Sequence, residues 1–304
     1  MKDKIRKYIL HPAAEWTSRL PLLGRVIKRW EINRHYSIER QVLKGKHHTA
    51  CPHQSILFFT VYKAGSSFLG SFMKKIMDRA GITSVDLDGY FYQLGVGGQW
   101  ERNGRVMVDV PYRTTGYFYG PFRSLNRGVA NYDDYKIILV LRDPRDVIVS
   151  AYYSIYSHIM PTLEGKEKHQ TRVTRRKRLR ELSVDEYVIE KLNSDSHFLD
   201  RYYEYHKALM GKPNVLFLKY EDMVTDFGPW LDRLLAFLDL NVDPGLLAEI
   251  KAGADFKVSS ENIYKHKRQV APGDHKRKLK PGTIEILNNK TAEVLKLYGY
   301  YNME

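Results

Sequence analysis

Residues 58–73 read Phe58-Phe-Thr-Val-Tyr-Lys-Ala-Gly-Ser-Ser-Phe-Leu-Gly-Ser-Phe-Met73. The apolar run starts earlier, at Ser55 (SILFFTV, 55–61), and has the composition of a strand buried on both faces of a parallel sheet. After a turn holding one Lys, one Gly and two Ser, apolar residues recur at Phe68, Leu69, Phe72, Met73, Ile76, Met77 and Ala80, near the helical period, and Gly81 follows as a C-cap. A strand feeding a tight turn into a helix N-terminus gathers backbone N–H groups and the positive end of a dipole at one point, so the turn is predicted to hold an anion. Lys63 adds a full charge, Gly65 permits close backbone approach, and Ser66 and Ser67 add hydroxyl donors. A Walker A loop places its Lys after a second glycine; here Lys63 precedes the only glycine of the turn, which argues against an ATPase of that type.

The same layout recurs at KIILVLRDPRDVIVSAYYSIYSHI (136–159). Ile137 to Leu141 are predicted as a buried strand, Asp143 as the helix cap, Pro144 in the first turn, and Val147, Ile148, Ala151, Tyr152 and Ile155 as the apolar face. Arg142 falls at the end of this strand, where a guanidinium grips a phosphate in bidentate fashion, and Ser150 lies two helical turns on. A third buried strand, NVLFLKY (214–220), precedes the amphipathic PWLDRLLAFLDL (229–240). This alternation predicts an α/β fold with a parallel sheet and a ligand at the carboxyl ends of its strands. Two anion grips on two strands suit a nucleotide phosphorylated at both ends.

YKAGSSF, then RDPRDVIVSAYYS, LKYEDM and KRQVAPGDHKRKL together resemble the sulfotransferase family, in the family's order, over about residues 55–280. The resemblance implies a three-layer α/β fold like that of P-loop kinases, with a central parallel sheet flanked by helices. It also implies transfer of a sulfuryl group from 3′-phosphoadenosine 5′-phosphosulfate (PAPS) to an acceptor hydroxyl or amine, leaving 3′-phosphoadenosine 5′-phosphate (PAP), without a metal. By position, Lys63, Ala64, Gly65, Ser66 and Ser67 are similar to the 5′-phosphosulfate loop and Phe68 to an aromatic that stacks on adenine. Arg142 and Ser150 resemble the 3′-phosphate pair, Tyr220 an adenine contact, and Arg268 the arginine of the C-terminal motif, beside Gly273-Asp274-His275-Lys276. Ala64 stands where Ser is frequent, and Gln269 and Val270 replace the Lys and Gly of the C-terminal motif. The His-Leu-Pro base of the small-molecule branch is missing: its place falls on Gly120, in YGPFR.

Lys63 is the expected stabiliser of the departing phosphate oxygen. The acceptor still needs a base; Asp88 is the first candidate, from SVDLDGYFYQ, with Asp109 and His158 behind it, whereas Asp86 and Asp88 also read as turn caps. His53 and His275 have no supporting spacing.

The 304 residues, 43% apolar, are enough for a sizeable core. The expected organisation is a basic helical extension over 1–50 and one domain over 51–304 with a basic insertion near 161–182. The lone Cys51 fits a reducing compartment, and charges occupy the start where a signal peptide needs an apolar core, so a cytoplasmic protein is expected. The net charge of +14 favours anionic partners. It is concentrated in the first 50 residues and in KEKHQTRVTRRKRLR (166–180). That stretch, with many tyrosines, suits a small-molecule or glycan acceptor, and residues 1–45 suit peripheral contact with a membrane. Two alternatives stand beside the transferase, a nucleotide kinase with an aberrant loop and a basic nucleic-acid-binding protein. Against the latter, the 166–180 stretch lacks interleaved aromatics, so DNA or RNA is not expected.

Overall fold

A computed structural model describes residues 21–96, 101–102, 105–106, 110–126, 128–156, 163, 166–194, 197–254, 256, 261 and 270–301. Asp109, His158, Arg268 and residues 1–20 lie outside them. The chain divides into two compact units, one of residues 1–47, 86–111 and 160–169, the other of the remainder.

The larger unit is built on five parallel strands: β1 (Ile56–Thr60), β2 (Thr83–Val85), β5 (Tyr117–Phe122), β6 (Lys136–Leu141) and β7 (Val215–Lys219), in the order β2-β5-β1-β6-β7. Every residue of β1 and β5 is buried, and all but the first of β6, as the unbroken apolar runs require. In register, Thr60 lies opposite Val140, and Leu141 opposite Lys219, so the strands end at nearly the same height. From β1 the chain goes by α3 (Ser66–Arg79) out to β2; from β6 it goes by α5 (Pro144–Tyr153) toward β7 on the other side. The β1 and β6 turns therefore part in opposite directions and open a crevice between them, the switch point at which such sheets bind ligands.

Local chemistry fixes the two helices that leave the crevice. Helix α3 contacts β2 and β5 and buries Leu69, Phe72, Met73, Ile76 and Met77. Asp143 caps α5 by accepting from the Arg145 N–H at 2.8 Å, and Pro144 occupies its first turn, as expected. Ile148, Val149 and Tyr152 of α5 enter a cluster with Val188 and Leu192 of α7 (Val184–Ser194), Leu279, and Leu287 of α13 (Pro281–Leu297). Each such side chain contributes about 1.5–3 kcal/mol when fully buried. The other helices described in this unit are α8 (Asp200–Leu209), α9 (Tyr220–Thr225), α10 (Phe227–Leu238), α11 (Pro244–Gly253) and α12 (Asp274–Lys278).

Helix α6 (Lys166–Leu179) carries the basic stretch. Part of that charge is structural: Arg176 donates to the carbonyls of Ser154 (3.0 Å) and Ile155, and Arg180 donates to Ile155 (3.0 Å) just beyond α5.

The smaller unit holds α1 (Pro21–His35), α2 (Ser37–Leu43), α4 (Leu87–Gln93) and the antiparallel pair β3 (Glu101–Arg102) and β4 (Arg105–Val106). Buried Glu39 of α2 accepts from the Asp86 N–H at 2.9 Å, and Asp86 accepts from the Gly89 N–H at 2.8 Å to cap α4. No described helix is long and apolar enough to cross a membrane.

Candidate functional site

The turn after β1 brings its backbone to one point by two left-handed residues. Lys63 has φ 66° and Gly65 has φ 74° immediately before Ser66 starts α3. Glycine suits 65 on two counts: it adopts this φ without strain, and a Cβ there would lie 3.1 Å from Cε2 of Tyr220, a tight contact. At 63 the same backbone carries a Lys, a local strain of order 1 kcal/mol or more kept at a charged turn. Ala64 is buried; Lys63, Gly65, Ser66 and Phe68 are half-buried or more open, and Ser67 lies beside them at the start of α3.

Arg142, at the end of β6, is 3% exposed and bridges three chain segments. Its Nη1 donates to the Lys63 carbonyl at 2.8 Å. Its guanidinium lies over the Tyr220 ring, 4.5 Å from the centroid, a cation–π contact. Its Nη2 is 3.9 Å from Asp146 Oδ2, and its Nε is buried without a protein partner among the described residues. A buried guanidinium with an unused donor at the mouth of a two-turn crevice is a fitting seat for an anion. The Tyr202 hydroxyl fixes the strand end by donating to the Arg142 carbonyl at 2.7 Å.

The structure thus brings together Lys63, Gly65, Arg142 and Tyr220. Ser150 is half-buried on α5. The ring of Phe68 meets Phe227 and Phe256 edge-on and Phe72 at a tilt. Asp88 lies in the first turn of α4, in the smaller unit. At Gly120, the position of the missing His-Leu-Pro base, φ is 131° and a Cβ would lie 2.5 Å from the Phe58 carbonyl oxygen. The strand packing there leaves no room for any side chain. His53 bonds the Gln54 and Leu238 carbonyls and is structural.

Four participants are not legible in the sequence. Arg123, just past β5, donates to Ser66 Oγ at 3.2 Å and stacks over Tyr62. Glu221, 1% exposed, accepts from the Asp143 N–H at 2.9 Å; burial pushes its carboxyl up to about 7. Asp146, fully buried, accepts from the N–H groups of Gly273 (2.8 Å) and His275 (2.9 Å) and from His275 Nδ1 (2.7 Å). Burial alone would raise Asp146, but the His275 hydrogen bond and the Arg142 charge outweigh it and hold the carboxyl at about 2. His275, given no role from spacing, is this partner. Only YED and GDHK, which carry part of the family resemblance, mark the places of Glu221 and His275.

A family model described as the sulfotransferase domain matches residues 53–297. No curated protein matches the chain by sequence. Among solved structures, the chain resembles the mouse sulfotransferase SULT7A1 complexed with PAP, at 18% identity and a TM-score of 0.51, over 88% of this chain and 93% of that one. It also resembles retinol dehydratase in complex with retinol and PAP, at 14% identity and a TM-score of 0.50, over 84% of each chain. At these identities the structural likeness establishes the fold.

Proposed function

The chain belongs to the sulfotransferase family, and from that premise we propose that the crevice between the β1 and β6 turns binds PAPS and delivers its sulfuryl group to an acceptor hydroxyl or amine. The observation that carries this reading is the convergence of Lys63, Gly65, Tyr220 and the buried Arg142 on one crevice. In this assignment the turn 63–67 receives the 5′-phosphosulfate, Phe68 and Tyr220 hold the adenine, and Arg142, Ser150 and Arg268 hold the 3′-phosphate. Residues 51–304 act as one catalytic domain, with 1–50 as a basic extension and a basic insertion near 161–182.

The acceptor oxygen or nitrogen attacks sulfur in line. As that bond forms, the bond from sulfur to the 5′-phosphate oxygen breaks and its electron pair stays on the phosphate. The acceptor's proton passes to a base, for which Asp88 is the first candidate and Asp109 and His158 the others. Charge develops on the leaving phosphate oxygen, where Lys63 and the turn's N–H groups stabilise it. In comparable transfers, preorganised donors of this kind supply most of the rate enhancement.

For the acceptor we favour a polyhydroxylated, anionic carbohydrate. Exposed basic side chains of α6, such as Arg175 and Lys177, suit existing carboxylates or sulfates. Transfer of label from 35S-PAPS to a panel of acidic oligosaccharides, neutral oligosaccharides and simple phenols tests this; rates no higher on the acidic glycans than on phenols would sink it. Peripheral contact with anionic lipid is supported by α1, where Val26, Ile27 and Trp30 are exposed among Arg25, Lys28, Arg29 and Arg34.

A further inference from the structure

Two of the contacts that aim Arg142, those with Tyr220 and Asp146, do not belong to Arg142 alone. The Tyr220 ring beneath its guanidinium also carries the hydroxyl that donates to the Val270 carbonyl at 3.3 Å. The Asp146 carboxylate beside it takes the N–H groups of Gly273 and His275 and the His275 ring. Segment 270–275 is therefore docked on the same two side chains that flank Arg142.

The distances say what the imidazole does there. At 3.9 Å, Asp146 Oδ2 is too far from Arg142 Nη2 for a direct hydrogen bond, although both groups are buried and oppositely charged. A buried carboxylate and a buried guanidinium attract strongly at low dielectric, so donors bound to the carboxylate compete with a direct pair. Among the described residues, the donors that hold Asp146 come from segment 270–275: the Gly273 N–H takes Oδ2, the oxygen nearer Arg142, while the His275 N–H and its Nδ1, at 2.7 Å and the one side-chain donor among them, take Oδ1 and so fix the turn of the carboxylate. A cavity of about 300 Å³ lies beside the His275 ring, lined by Asp143, Arg145, Glu221, Gly273 and Lys276 among others. His275 Nε2 is buried without a protein partner among the described residues, so Asp146 is the polar anchor of the ring.

We propose that His275 is a positioning residue for Arg142: by fixing the Asp146 carboxylate it keeps that group from closing on the guanidinium, leaves the guanidinium donors not bound to Lys63 to a ligand, and so sets recognition of the donor's 3′-phosphate. This rests on the donor reading above. It distinguishes His275 from a residue that merely stabilises the fold, because its loss should weaken only ligands that carry a 3′-phosphate.

The test is calorimetric affinity for PAP and for adenosine 5′-phosphate, which lacks the 3′-phosphate, in the wild type, His275→Phe and His275→Asn. Phenylalanine keeps the buried volume and removes the Nδ1 donor; the asparagine amide restores a donor toward Asp146. The preference for PAP should fall about tenfold in His275→Phe, as expected for loss of one hydrogen bond to a charged group. His275→Asn should stay within about threefold of the wild type, and adenosine 5′-phosphate should bind all three alike. An unchanged preference in His275→Phe, or equal weakening of both nucleotides, overturns the proposal while leaving the donor reading intact. A wild type with no preference for PAP overturns the donor reading and this inference together.

Discussion

Lys63 is the residue at which stability and function pull apart. It holds a left-handed backbone, φ 66°, that glycine adopts at no cost. Lys63→Ala should lower kcat by about 10²–10³, the usual loss for one preorganised donor, with little change in melting temperature. Lys63→Gly should lose as much activity yet unfold later, by roughly 0.5–1 kcal/mol, in a urea titration. Glu221 supplies the pH dependence. Its folded carboxyl sits at about 7 against an ordinary value of 4.5, chiefly through burial. A raised carboxyl is neutral in both states below pH 4.5 and loses stability as pH rises toward 7, because the unfolded chain ionises first. Unfolding free energy should thus drop by about 3 kcal/mol between pH 4.5 and 7 from this group, and Glu221→Gln should flatten that slope. Equal slopes in both proteins would show that Glu221 ionises freely in the fold.

At the scale of elements, helix α5 carries the site because its first turn is tied down three ways. Asp143 caps it, pairs with Arg145 at 2.7 Å, and donates its own N–H to Glu221. Asp143→Ala removes the cap and leaves the buried Arg145 guanidinium with the Asn288 side chain and the Tyr300 carbonyl, neither of them charged, so a loss of about 3–5 kcal/mol is expected in denaturant unfolding. A loss below about 1 kcal/mol would mean that neither the cap nor the pair matters to α5. These elements also show what a sequence discloses. The strands at 56–60 and 136–141 are legible because burial on both faces leaves almost only apolar residues, and Asp143-Pro144 is a local start signal. The crevice is legible because it lies at two strand-to-helix turns, each a local pattern. The contact of Asp146 with His275 spans 129 positions and that of Arg123 with Ser66 spans 57, and no local periodicity encodes either. Arg176 and Arg180 read as surface charge for the same reason, since their acceptors are carbonyls that only the folded chain presents.

For the whole molecule, the sheet order decides the outcome. Because β1 and β6 are neighbours whose helices depart in opposite directions, a lysine-bearing turn and an arginine-bearing strand end face one crevice, linked by the Arg142–Lys63 hydrogen bond. Anions at both ends of one nucleotide match that layout, whereas ATP has its phosphates at one end only. The net charge of +14 would bring any polyanion near, so selectivity rather than binding is the telling quantity. The most direct measurement is calorimetric titration of PAP and of ATP into the wild type, Lys63→Ala and Arg142→Ala. PAP should bind the wild type at least about a hundredfold more tightly than ATP, and either substitution should remove about tenfold or more of that preference. Equal affinity for the two nucleotides, or a preference untouched by both substitutions, would contradict the donor reading.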